Sequence, residues 1–213
     1  MPKLIQSIRA IGWQSEFCEL IIIDDGSVDG TRELLSSIAL HDFGIKLIFT
    51  KTRLGLGGSI LAGVLSSRAE TIVVMDADGM HDPAYLPIMY TMSKGKNILV
   101  IGSRYATGGD SEGAIYPILS KFVNKVIQRL MNSKVQDQLC GFFISSRTEL
   151  LKISDSKFIG FGEYFISVIR HFEKNQISIL ELPTIHRVRN SGKRKSKRMR
   201  MFISYIRYAL ANR

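Results

Sequence analysis

VVMDADG, residues 73–79, joins a run of apolar, β-forming residues directly to two aspartates that are separated by one small residue and followed by glycine. An apolar run without polar alternation reads as a strand buried on both faces, and it ends where Asp76 and Asp78 begin. Two carboxylates this close repel each other, and one pKa rises unless a cation lies between them. A hard divalent ion, shared between one or two carboxylates and the oxygens of a diphosphate, removes that cost. A plain surface turn is the alternative reading of the same residues.

Outward from this stretch the same kind of run recurs: ELIIID at 19–24, IKLIFT at 45–50, NILVIG at 97–102, FFISS at 142–146 and ISILELP at 177–183. Between the runs, the segments after Asp29, at 56–67, after Pro83 and at 117–132 carry apolar residues at three- and four-residue intervals, the helical period. Strands alternating with helices predict an α/β fold with a mostly parallel sheet covered on both faces, and ligands bound beyond the carboxyl ends of the strands. The charged motifs fall at those ends.

IIIDDGSVDGT at 21–31 runs a strand into Asp24 and Asp25, then a turn and a helix start. Both aspartates read as turn and cap residues, or one caps the turn while the other accepts hydrogen bonds from a nucleobase or ribose. In IGSRYATGGD at 101–110, Arg104 follows another strand end at the same rim. It reads as a solvated charge, or as a planar donor that takes two phosphate oxygens at once. RLGLGGSILAG at 53–63 lacks a GxGxxG dinucleotide pattern and reads as a tight strand-to-helix connection near the nucleotide, with Arg53 as a contact.

The chain has 213 residues and 45% hydrophobic content, enough for one sizeable core. Its net charge of +10 lies entirely in residues 186–213, which hold ten Lys/Arg and no acid, whereas residues 1–185 balance. The reading is therefore a neutral body at 1–185 and a basic amphipathic segment at 186–213, whose partner is polyanionic. In KRMRMFISYIRYAL at 197–210 the residues Met199, Phe202, Ile203, Ile206 and Leu210 share a helix side away from Lys197, Arg200 and Arg207. That pattern suits a helix at the headgroup level of an anionic bilayer, or one packed on the domain. The charged run lacks interleaved aromatic platforms, which argues against nucleic acid. Cys18 and Cys140 have no CxxC spacing and His41, His81, His171 and His186 no ligand spacing, so no disulfide framework or zinc site is expected; only His81 lies near the aspartate pair. No run approaches the roughly 20 apolar residues that span a bilayer, and no secretory h-region is read at the start, so the expectation is a cytoplasmic, peripheral protein.

The order of these motifs resembles the family 2 glycosyltransferases of GT-A (Rossmann-like) fold, most closely the dolichyl-phosphate mannose synthase and polyprenyl-phosphate glycosyltransferase branch. IIIDDGSVDGT resembles its nucleotide-binding strand, VVMDADGMHDP its DxD metal motif and IGSRY its Ser-Arg-Tyr segment. DQLCGFF at 137–143 resembles the acceptor loop and RNSGKRK at 189–195 the basic element that follows. The resemblance implies that Asp24, Asp25, Arg53, Asp76 and Ala77 face the nucleotide, and that Asp76 and Asp78 hold Mg2+ or Mn2+. Arg104, Ser120, Lys121, Arg189 and Lys195 would surround the phosphates of donor and lipid. It further implies hexose transfer from GDP-mannose or UDP-glucose to a polyprenyl phosphate, at the cytoplasmic face of a membrane and with a membrane-anchoring partner subunit as one option. Asp78, Arg104 and Asp137 are the catalytic candidates, Asp137 as the base a hydroxyl acceptor would need. Rival readings are a transferase for a soluble glycan or polysaccharide and a non-catalytic or partner-dependent homologue. The chain departs from the family in four places: the opening strand with its Pro-x-Tyr-Asn-Glu element is not found, Met80 stands for Gln, Tyr116 and Pro117 replace an arginine before Ser120, and Arg194 stands for Ser.

Overall fold

Ile98–Ser103 is buried at all six positions, and the fold is organised around it. The computed structural model describes residues 2–12, 18–40, 44–111, 116–187 and 198–212. In chain order the elements are α1 (Pro2–Ala10), β1 (Leu20–Asp24), α2 (Thr31–Ala39), β2 (Ile45–Phe49), α3 (Gly55–Ser66), β3 (Thr71–Val74), α4 (Leu86–Ser93) and β4 (Ile98–Ser103). They continue as β5 (Asp110–Ser111), α5 (Tyr116–Met131), β6 (Phe143–Ser146), α6 (Arg147–Leu151), α7 (Glu163–Lys174), β7 (Ser178–Pro183), β8 (Ile185–His186) and α8 (Arg198–Ala211).

The main sheet has the order β3-β6-β4-β7. β4 and β7 are parallel, but β6 runs antiparallel to both neighbours, so this sheet is mixed where the apolar runs predict a mostly parallel one. Strands buried on both faces read as continuous apolar runs whichever way they point, so composition carries no signal of direction. The reversal has a functional result: it brings the start of β6, and the loop before it, to the rim where β3 and β4 end. β1 and β2 form a separate parallel pair, and among the described residues no pairing joins β1 to β3.

Leu99, Val100, Ile101, Phe142, Phe143 and Ile144 have no exposed surface, and Met89 of α4 with Phe165, Val168 and Phe172 of α7 completes the core around them. Each such side chain contributes about 1.5–3 kcal/mol on leaving water. α3 closes on the loop before α7 at Gly57, whose amide donates to the Gly160 carbonyl at 3.1 Å. A Cβ there would lie 2.6 Å from the Phe158 carbonyl carbon, so only glycine permits the approach.

Candidate active site

β3 ends at Val74, and the loop that follows turns back on itself within eight residues. The Asp76 amide donates to His81 Nδ1 at 2.9 Å, and Asp78 Oδ1 accepts the Met80 amide at 3.0 Å. Asp82 caps the short 3-10 turn at Pro83–Tyr85 through the Ala84 amide. Ala77 is exposed, and Asp76 and Asp78 are half-buried. Arg187 clasps the loop from outside: its amide donates to the Met80 carbonyl at 3.0 Å and its guanidinium pairs with Asp82 at 2.5 Å. The donor set fits a hard divalent ion, because two carboxylates of one short loop are the oxygen ligands such an ion takes. Met80 offers only a thioether, so an ion held there would take its remaining oxygen ligands from outside these side chains.

At the end of β4, Arg104 meets Asp137 in a bidentate pair, Nε to Oδ2 at 2.8 Å and Nη2 to Oδ1 at 2.6 Å, while the Arg104 amide adds a third bond to Oδ2 at 3.0 Å. Asp137 has no exposed surface. Burial alone would raise its carboxyl, but the charge and hydrogen bonds of Arg104 outweigh that and hold it below the usual range. Burial likewise disfavours the Arg104 charge, and Asp137 more than offsets it, so the guanidinium is raised. In this geometry Asp137, expected as a base, is engaged as the partner of Arg104. Both of its oxygens are committed to Arg104, and it serves to hold that guanidinium, which also lies over the Tyr105 ring at 5.0 Å. The loop itself is pinned by Glu181, whose carboxylate accepts the amides of Gln136 and Asp137. Asn124 of α5 accepts the Gln138 amide at 2.7 Å.

At the rim expected to face the nucleotide, both aspartates are bonded within the chain itself. Asp24 accepts from the Ser27 amide and from Arg32 at 2.7 Å. Burial pushes its pKa up, but these bonds prevail and lower it. Asp25 accepts from Thr50 Oγ1 and from the amides of Leu54 and Gly55, which tethers the start of α3. The Arg53 side chain crosses Gly26, within 3.4 Å of where a Cβ would stand, so Arg53 and this turn share one rim.

On α5, Ser120 is half-buried beside Tyr105, and Lys121 is exposed. Arg189 and Lys195 lie outside the described residues. The helix expected at the bilayer packs in part on the body: Met201, Phe202, Tyr205, Tyr208 and Ala209 meet Val123, Ile127 and Met131 of α5 and Ile166 of α7. Ile203 and Leu210 stay exposed, as do Arg200 and Arg207. No helix among the described residues is long and apolar enough to cross a membrane. A cavity of about 530 Å³ lies elsewhere, lined by Asn132, Lys134, Arg170, Glu173 and Glu181 among others, and none of the motif residues lines it.

Behind the rim the fold brings together three residues that the sequence reading left apart. His81 stacks on Phe142 with ring centres 4.8 Å apart and meets His186 edge-on at 4.8 Å. Cys140 Sγ lies 3.8 Å from His186 Nε2. Burial, then the Arg104 charge, pushes His186 from 6.5 to about 4. The unfolded imidazole takes its proton near 6.5 and the folded one only near 4, so between these values the unfolded state binds more protons and native stability falls as pH falls. The shift corresponds to about 3 kcal/mol. His186→Phe is expected to remove that part of the acid sensitivity, read as the difference in urea midpoint between neutral and mildly acidic buffer. An unchanged difference would contradict the assignment.

With this geometry in place the comparisons are informative. The family model described as Glycosyl transferase family 2 matches residues 1–153. The chain belongs to that family. Among its relatives, this family 2 chain is 28% identical over 196 residues to a dolichol-phosphate mannosyltransferase of Pyrococcus furiosus, covering 89% of this chain and 53% of the relative. It is 31% identical over 180 residues to a polyprenol monophosphomannose synthase of Mycolicibacterium smegmatis, covering 81% of this chain and 68% of that one. The chain thus spans about half the length of the first of these relatives. Among solved structures, glucosyl-3-phosphoglycerate synthase of Mycobacterium tuberculosis in complex with Mn2+, UDP and glucosyl-3-phosphoglycerate superposes with a TM-score of 0.67 at 19% identity, covering 98% of this chain and 75% of that one. The last similarity establishes the fold of this family 2 chain.

Proposed function

We propose that the chain is a metal-dependent, inverting hexosyltransferase that moves mannose or glucose from GDP-mannose or UDP-glucose to a polyprenyl phosphate at the cytoplasmic face of a membrane. The observation that carries the reading is the rim itself: Asp76 and Asp78 on the loop after β3, and at the end of β4 on the same rim Arg104, locked in orientation by a buried carboxylate. Mg2+ or Mn2+ bound at the two aspartates supplies charge neutralisation for the departing diphosphate. Arg104 is pre-oriented to donate to a phosphate oxygen, and such preorganised donors are worth most where charge develops. Its commitment to Asp137 also bears on the acceptor. A hydroxyl acceptor needs a positioned base, whereas a phosphate is already anionic near neutral pH and needs none.

The names of the two relatives support a lipid phosphate acceptor. The basic segment at 187–200 supports an anionic surface as partner, because it begins at Arg187, which is itself bonded to the loop that carries Asp76 and Asp78. The test is sugar transfer from GDP-mannose and UDP-glucose in vesicles containing anionic lipid and polyprenyl phosphate. A lipid-linked, Mn2+-dependent product is expected, together with sedimentation of the protein with the vesicles. Transfer only to soluble phosphate-bearing or glycan acceptors would overturn the lipid assignment, and absence of any transfer would favour a non-catalytic or partner-dependent homologue.

A further inference from the structure

We propose that His81, Cys140 and His186 form a binding site for a soft divalent ion of the zinc class, distinct from the carboxylate pair that takes Mg2+ or Mn2+. One ligand atom from each of the three lies within 4.8 Å of the others, and all three residues are buried. Two of the atoms already converge: Cys140 Sγ and His186 Nε2 approach the same Gly102 carbonyl at 2.7 and 3.3 Å. Their own separation is 3.8 Å. Zinc bonds of about 2.3 Å to sulfur and about 2.0–2.1 Å to nitrogen place tetrahedral S and N ligands about 3.6 Å apart. The Cys140–His186 edge therefore has nearly the required span, and His81 has about an ångström to close.

The ligand chemistry separates the two sites. Thiolate and imidazole select zinc-class ions, while carboxylate oxygens suit magnesium and manganese. The residues also come from three separate places, the loop after β3, the loop before β6, and β8, so a bound ion would cross-link the metal loop, the acceptor loop and the start of the basic segment. Stacking on Phe142 and the edge contact between the rings hold both imidazoles in place. The Arg104 charge nearby is offset by Asp137.

Coordination releases the Cys140 thiol proton to solvent and leaves His186 with its one ring proton on Nδ1. At His81 it has a further effect. Nδ1 has a single lone pair, now used by the Asp76 amide. An ion at Nδ1 takes that lone pair, and an ion at Nε2 moves the ring proton onto Nδ1, so either way the Asp76 amide loses its acceptor. Occupancy by a soft ion then disturbs the loop that presents Asp76 and opposes Mn2+-supported turnover. That coupling rests on the transferase reading; the site itself does not.

Titration of the metal-free protein with Co2+ tests the site without any turnover assay. About one equivalent should bind with a thiolate-to-cobalt charge-transfer band, and Zn2+, which binds more tightly, should displace it. The band should persist in Asp78→Ala and vanish in both Cys140→Ser and His186→Phe, each checked for native circular dichroism. Absence of the band in the parent protein, its loss in Asp78→Ala, or its persistence in Cys140→Ser, which would assign it to Cys18, would each overturn the proposal.

Discussion

Asp78→Ala is expected to lower kcat/KM for sugar transfer by roughly a thousandfold or more, because a bound ion contributes several kcal/mol to stabilising the departing diphosphate. The fold should survive. Asp78 is half-buried, and its bond to the Met80 amide at 3.0 Å is worth about 1 kcal/mol. Asp78→Asn separates loop shape from charge, since an amide oxygen can accept the same bond while binding a divalent ion poorly. Both variants should be inactive at Mn2+ concentrations that saturate the parent, with urea midpoints close to it. Full activity in Asp78→Asn would remove this carboxylate from the mechanism.

Asp137→Ala should cost about 3–5 kcal/mol of stability, since it leaves the largely buried guanidinium of Arg104 without a counter-charge. Adding Arg104→Met to that variant should restore a large part of the loss, because the orphaned charge goes with it, yet activity should stay absent without the phosphate donor. Equilibrium urea denaturation of the two single variants and the double variant forms the cycle. A different pattern would mark Asp137 as a general base after all: native stability in Asp137→Ala with loss of the acidic limb of the pH–rate profile.

Much of the candidate site was legible from residue order. Asp24, Asp25, Asp76, Asp78 and Arg104 were placed at strand ends because apolar runs stop abruptly there, and each does stand at or just beyond the end of its strand. What those side chains bond to was less legible. Asp25 is expected to face the nucleotide and is found holding the Leu54 and Gly55 amides, partners 29 and 30 residues away that no local pattern announces. The face of α8 was assigned from Met, Phe, Ile and Leu alone. The structure buries Tyr205 and half-buries Tyr208, the latter with its hydroxyl bonded to Ser167 at 2.6 Å, which turns the buried stripe toward the tyrosines. Tyrosine has an apolar body and a polar tip, so it can join a core whenever the tip finds a partner, and only the packed neighbour reveals that partner.

By itself, then, the sequence determined the alternation of strands and helices, the rim at which the aspartates and Arg104 gather, and the placing of all excess positive charge after residue 185. These follow from composition, period and spacing along the chain. The tertiary structure alone decided that β6 runs against its neighbours, that Asp137 is spent on Arg104, and that His81, Cys140 and His186 converge behind the loop that carries Asp76 and Asp78. Direction and encounter of buried groups depend on how distant segments cross in space, and a buried polar residue carries no mark in the sequence of which other it will meet.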